Sequence, residues 1–144
     1  MPSSLKKSEL NPFKTSTFGT GILINKALDI GCEKIYLGIG GSSTHDLGSG
    51  IFVALGGKLL NKKNVEIPLG GGELNKCVKI KTDSLNNKAK VAQIIIASDV
   101  NNPLTGINGA AKIYSKQKGA SKNQIIELEK KSIYFSSIIK KFKD

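Results

Sequence analysis

The chain has no arginine and no tryptophan, and it holds one histidine, two cysteines and four prolines in 144 residues. The missing arginine removes the side chain that reads guanine bidentately and stacks on bases. All 22 cations are lysines, set against 11 acids, for a formal net charge of +11. Lysine can neutralise phosphates without reading sequence. The lysines are dispersed, however. The tightest groups are Lys6-Lys7, Lys62-Lys63, Lys130-Lys131 and Lys140-Lys141 with Lys143. None is the block of five or more that marks a nucleic-acid tail. A solvated surface is the expectation, with no specific nucleic-acid partner; a basic nucleic-acid-binding module is the last-ranked alternative. Cys32 and Cys77 form neither a disulfide framework nor a Cys-x-x-Cys pair, which points to a reducing, cytoplasmic setting. No apolar run approaches a membrane span, so no membrane partner is expected. One histidine and two cysteines are too few for a common zinc site without carboxylates or an oligomer.

What is present suits one globular domain over 1–144, with 39% hydrophobic residues. Residues 1–16 read as an irregular polar lead-in. Thr17 to Gly21 is a turn-like Gly/Thr run, and apolar spacing then predicts a helix over about 19–30, stopped by Gly31. Lys34 to Ile39 reads as a buried, parallel strand, because its apolar residues do not alternate with polar ones. A small polar loop, 40–46, precedes a helix from Leu47 to Leu55. Lys58-Leu59-Leu60 and Val65-Glu66-Ile67 flank a four-residue hairpin loop. Cys77–Ile80 is a candidate strand, 82–90 a polar loop, and Val91–Ala97 the strongest strand signal. A turn-rich stretch from Asp99 to Gly109 leads to a short helix over 110–116. Ser121 and Gln124 form a capping-box pattern ahead of a long amphipathic helix over 121–142. The expected fold is α/β: a mostly parallel sheet with flanking helices and a β-hairpin.

Two polar loops follow the two apolar strands. In the first, Gly40 and Gly41 let backbone N–H groups approach an anion, and Ser42 and Ser43 add hydroxyl donors. A tight strand-to-helix turn would use the same residues. Asp46 could ligate Mg²⁺ or act as a general base, or it could simply cap the following helix. His45 reads as a solvent-facing loop residue. The second loop runs Asp99-Val100-Asn101-Asn102-Pro103-Leu104-Thr105-Gly106, at the end of a strand, where α/β folds place ligands. Turn chemistry alone would also select these residues. If the strands are parallel neighbours, both loops open on one sheet edge.

These segments resemble the glycerate kinase family, whose members phosphorylate D-glycerate with ATP. Gly38-Ile39-Gly40-Gly41-Ser42-Ser43-Thr44-His45-Asp46 is similar to the family's Gly-Ile-Gly-Gly-Ser-Ala-Thr-Asn-Asp. Asp99 to Gly106, with Asn108-Gly109-Ala110, looks like its Asp-Val-x-Asn-Pro-Leu-x-Gly and Asn-Gly-Ala. Gln117-Lys118-Gly119-Ala120 and Gly19-Thr20-Gly21 match two further motifs, all in family order. The chain departs from the family at Phe18 and Ile22, which replace Arg and Glu, at His45 and Leu47, which replace Asn and Gly, and at Ser115-Lys116, which replaces Gly-Pro. The resemblance covers the middle part of a full-length member, a partial version of a two-domain kinase. It implies ATP and Mg²⁺ as cofactors and glycerate as the small-molecule substrate. Asp46 and Asp99 become candidates for catalysis, Asp46 also for Mg²⁺. Gly40, Gly41, Ser42, Ser43, Asn102, Thr105 and Lys118 become candidates for binding substrate or phosphate. A homo-oligomer or a complementing chain is expected, and a non-catalytic remnant or split-gene piece is the alternative.

Overall fold

The computed structural model describes Lys6 and residues 9–143, so much of the lead-in expected over 1–16 lies outside the described residues. The order is α1 (Phe18–Asp29), β1 (Lys34–Gly38), α2 (Ser49–Ala54), β2 (Lys58–Leu60), a 3-10 helix (Gly71–Lys76), β3 (Lys79–Lys81), α3 (Asn87–Val91), β4 (Gln93–Ala97), α4 (Ala110–Tyr114) and α5 (Lys122–Lys143). The architecture is α/β, as the patterning implies.

The Gly/Thr run is not a turn. It forms the first turns of α1, and its glycine serves helix crossing. A Cβ on Gly21 would lie 2.6 Å from the Ala54 Cβ and 2.8 Å from the Ile51 Cα, both in α2. On the other helix, a Cβ on Gly50 would lie 2.4 Å from the Phe18 N. The two helices therefore touch backbone to backbone. Gly21→Ala is expected to cost about 1–3 kcal/mol by overpacking, even after the gain in helix propensity. A urea midpoint equal to or above that of the parent chain would contradict this contact.

β1 and β4 pair in parallel, with Ile35 opposite Ile94 and Tyr36 opposite Ile95. Ile35, Leu37 and Ile94 pack on the cluster of Ile24, Leu28 and Leu55. The expectation of strands buried on both faces does not hold. Tyr36 is 68% exposed, because the described helices cover only the α1 side of this pair. Val91 belongs to α3 rather than to the strand. The stretch expected as a loop over 82–90 contains most of that helix, which Asn86 caps by accepting from the Lys88 N–H at 2.9 Å. A five-residue helix is too short to display apolar periodicity.

The chain reverses between 60 and 66 as expected. The Asn61 N–H donates to the Val65 carbonyl and the Ile67 N–H to the Leu59 carbonyl, both at 2.9 Å. Yet the laddered partner of β2 is β3, antiparallel, with Leu59 opposite Ile80. The Val65–Ile67 side contributes only the Leu60–Glu66 bridge. Cys77 precedes β3 rather than joining it, and lies in the core with Leu59, Ile67, Leu74 and Phe135. The capping box of α5 is formed: the Ser121 N–H donates to Gln124 Oε1 at 2.8 Å, and the Gln124 N–H to Ser121 Oγ at 3.3 Å. Among the described residues, no helix is long and apolar enough to cross a membrane.

Candidate functional site

Parallel pairing of β1 with β4 sets the two polar loops side by side at the C-terminal ends of the strands. Between them lies a cleft of about 470 Å³. Gly40, Gly41 and Ser42 line one wall; Ser98, Asp99 and Asn102 line the other; Tyr114, Gln117 and Lys118 close it from the α4 side. Six residues singled out from the sequence thus meet here: Gly40, Gly41, Ser42, Asp99, Asn102 and Lys118. Ser43, Asp46 and Thr105 do not line the cleft. Among its described lining residues, Lys118 is the one cation and Asp99 the one carboxylate.

The first loop is held from below. Ser42 Oγ accepts from the Thr44 N–H at 3.0 Å and shares a hydrogen bond with Thr44 Oγ1 at 2.7 Å. The Ser43 carbonyl accepts from Thr15 Oγ1 at 2.8 Å, which places Ser43 in the scaffold. Asp46 is only 1% exposed. Its Oδ2 accepts from the Thr17 N–H at 2.8 Å, Thr17 Oγ1 at 2.9 Å and the Gly50 N–H at 3.1 Å. Asp46 is not the N-cap of α2, a position that Gly48 holds without a side-chain cap bond, because the helix starts at Ser49 rather than Leu47; its carboxylate instead clamps α2 to the start of α1. Leu47, where the resembled motif has glycine, sits at φ +53°. Such a backbone costs about 1–2 kcal/mol without glycine, and the Leu47 side chain offsets this by packing on the Phe135 cluster.

His45 is not solvent-facing. It is buried, with Nε2 3.0 Å from Ser132 Oγ. That hydroxyl donates to the Leu128 carbonyl at 2.8 Å. Its proton is therefore committed, so His45 must donate from Nε2. Burial, with the Lys118 charge adding to it, lowers the His45 pKa from the ordinary 6.5 to about 4, against opposing pulls from Asp46 and Glu129. The folded state thus resists a proton that the unfolded chain accepts. This stabilisation is complete above pH 6.5 and is lost as pH falls from 6.5 towards 4. The loss amounts to roughly 3 kcal/mol. His45→Gln should flatten this limb in urea unfolding followed across pH; an unchanged slope would contradict the assignment.

The second loop carries its own supports. Asn102 Nδ2 donates to the Asn108 carbonyl at 3.1 Å, and the Tyr114 hydroxyl donates to Asn102 Oδ1. Glu129 of α5 accepts from the Gly106 N–H through Oε1 at 2.6 Å, while its Oε2 is buried without a partner. Thr105 stands within this loop, away from the cleft. Lys118 bridges to the first loop by donating to the Thr44 carbonyl at 2.6 Å. Burial pushes its pKa below the ordinary lysine value, with Asp46 pulling the other way. Sequence reasoning missed Tyr114, Gln117 and Glu129. Gln117 stood beside Lys118 in a quoted motif, but nothing local marked Tyr114 or Glu129 as neighbours of the loop.

The architecture so far defines an α/β chain with a cleft at the C-terminal ends of parallel strands. Comparison with known proteins narrows this class: residues 3–144 match the glycerate kinase family. A glycerate kinase of Halalkalibacterium halodurans is 43% identical over 133 residues, 92% of this chain and 35% of the relative. A glycerate 2-kinase of Escherichia coli K12 is 44% identical over 131 residues, 91% of this chain and 34% of the relative. A crystal structure from Salmonella typhimurium LT2, of a protein provisionally named glycerate kinase 2, superposes with a TM-score of 0.92 at 36% identity, covering 97% of this chain and 38% of that one. The chain belongs to the glycerate kinase family. It spans about a third of the length of the curated relatives it matches.

Proposed function

We propose that this chain supplies one wall of the active cleft of an ATP-dependent glycerate kinase, in which the γ-phosphoryl group passes to a hydroxyl of D-glycerate. One observation carries the reading: in a chain of this family, the cleft gathers Gly40, Gly41, Ser42, Asp99, Asn102 and Lys118 from separate segments. Phosphoryl transfer needs positioned reactants and cations facing the developing charge. The Gly40-Gly41 backbone and the Ser42 hydroxyl offer close donors to an anion. Lys118 spends one of its three donors on Thr44 and keeps the others for phosphate or carboxylate oxygens. Tyr114 and Asn108 fix the Asn102 amide, which orients the ligand.

Asp99 is exposed on the cleft wall and is the candidate general base or metal carboxylate. The described residues contain no group of three or more His, Cys, Asp or Glu side chains able to cage a metal. Mg²⁺ bound to a nucleotide needs only one or two protein carboxylates beside the phosphates, and Asp99 fits that requirement. Asp46, saturated by buried donors, does not. When bound, Mg²⁺ would supply charge neutralisation on the transferring phosphoryl group.

With Lys118 the one cation among the described lining residues, and with the chain spanning about a third of its relatives, turnover is expected to need the rest of the family sequence. The chain alone should give no ATP- and glycerate-dependent turnover in a coupled assay with Mg²⁺. Combined with the remaining segments of a relative, it should turn over. A well-folded combination that stays silent would favour a non-catalytic remnant.

A further inference from the structure

The two walls of the cleft are mounted differently. The first loop is tied to distant segments several times. Thr15 Oγ1 donates to the Ser43 carbonyl, Lys118 Nζ to the Thr44 carbonyl, and Thr17 and the Gly50 N–H to Asp46. The second loop lacks such ties. Among the described residues, the hydrogen bonds of 98–109 stay within the stretch or reach α4, with one exception. Ser98 Oγ donates to the Val100 carbonyl, Asn102 Nδ2 to the Asn108 carbonyl and the Ala110 N–H to the Pro103 carbonyl, while the Tyr114 hydroxyl donates to Asn102. The exception is the Gly106 N–H, which donates to Glu129 Oε1 at 2.6 Å.

Glu129 holds this loop from outside the cleft. It follows Leu128 on α5, which is fully buried with Ala111 and Ala120, so packing fixes the helix at this point. Glu129 itself does not line the cleft. Gly106 stands at φ +108°, where a residue with a Cβ would be strained. Glu129 is buried, and its Oε2 has no partner. A buried acceptor left unpaired lowers stability, and an apolar side chain here would avoid that cost. Stability therefore does not account for a carboxylate at this position, whereas the bond to Gly106 does.

We propose that Glu129 is a positioning residue of the kinase site: by accepting from Gly106, it fixes the wall that carries Asp99 and Asn102 at its working distance from Gly40, Gly41 and Lys118. The inference rests on the reading of the cleft as a glycerate kinase site, and it adds a residue that acts through the loop rather than on the ligand. It assigns Glu129 to turnover and not to nucleotide affinity, because Lys118 and the first loop have their own supports.

The test has two arms. In the 144-residue chain, Glu129→Ala should speed amide exchange at Gly106 at least about tenfold, through loss of a charge-assisted hydrogen bond. Exchange in β1 and β4 should not change. Glu127→Ala, at an exposed position on the same helix, should alter neither. In the second arm, the residues of this chain replace the matched stretch of the Escherichia coli glycerate 2-kinase. There Glu129→Ala should lower kcat roughly 10- to 100-fold, while the dissociation constant for ATP without Mg²⁺ stays within about threefold of the parent. Glu129→Gln keeps an acceptor oxygen and should recover kcat to within about fivefold of the parent. Four results overturn the proposal: unchanged exchange at Gly106, unchanged kcat in Glu129→Ala, kcat and ATP affinity falling together, or Glu129→Gln as slow as the alanine variant. Circular dichroism checks that each variant is folded. If Glu129→Ala is not, the parent chain decides: Gly106 should exchange at least about tenfold more slowly than the exposed Ile107, and equal rates overturn the proposal. A parent graft that forms no phosphoglycerate refutes the kinase reading, and exchange at Gly106 then decides whether Glu129 holds the wall.

Discussion

Asp46→Ala is expected to remove about 3–5 kcal/mol of folding stability, a large part of what a domain of this size has. The carboxylate is 1% exposed and accepts four hydrogen bonds, two from Thr17 and one each from the Gly48 and Gly50 N–H groups. Those donors lie where α1 and α2 cross on Gly21 and Gly50, a contact too tight to admit water freely. Each buried donor left without a partner costs about 1–3 kcal/mol. Asp46→Asn keeps one acceptor oxygen and should lose only about half as much. Urea unfolding followed by circular dichroism measures both. An alanine variant as stable as its parent would mean that the clamp is unimportant and would return Asp46 to candidacy as a ligand for Mg²⁺.

Lys118→Met should lower affinity for ATP roughly 10- to 100-fold while changing stability by less than about 1 kcal/mol. A charge-assisted hydrogen bond contributes about 1.5–3 kcal/mol, and the other described lining residues offer no second cation. The Thr44 carbonyl that loses its donor is only half-buried and can turn to water. Titration calorimetry with Mg-ATP, on the chain assembled with the remaining family segments, gives the ratio directly. Equal dissociation constants for parent and variant would remove Lys118 from the binding role. The two substitutions separate the two kinds of residue in the family motifs: Asp46 acts on folding, and Lys118 on ligand.

How much could be read from the residues alone depended on how local the cause was. The capping box at Ser121 and Gln124 announces α5, because both partners of each hydrogen bond lie within one turn. The apolar runs mark β1 and β4 as strands but leave open whether they are neighbours; their parallel pairing in the fold is what brings Gly40 and Asp99 together. The Gly/Thr run before α1 misleads, because its glycine is selected by a contact with α2 roughly thirty residues away. His45 misleads for the same reason: its partner, Ser132, lies 87 residues further on. Tyr114 and Glu129 support the second loop through contacts that no local pattern encodes. The exposed face at Tyr36 was equally invisible, since an unbroken apolar run looks the same whether its cover is present or supplied by other sequence.

One measurement bears most directly on the whole account. The residues of this chain replace the matched stretch of the Escherichia coli glycerate 2-kinase, and product formation from D-glycerate and Mg-ATP is followed by mass spectrometry. The account predicts a folded graft that forms phosphoglycerate and loses that activity on Lys118→Met. A folded graft that binds neither ATP nor glycerate and forms no phosphoglycerate would contradict it.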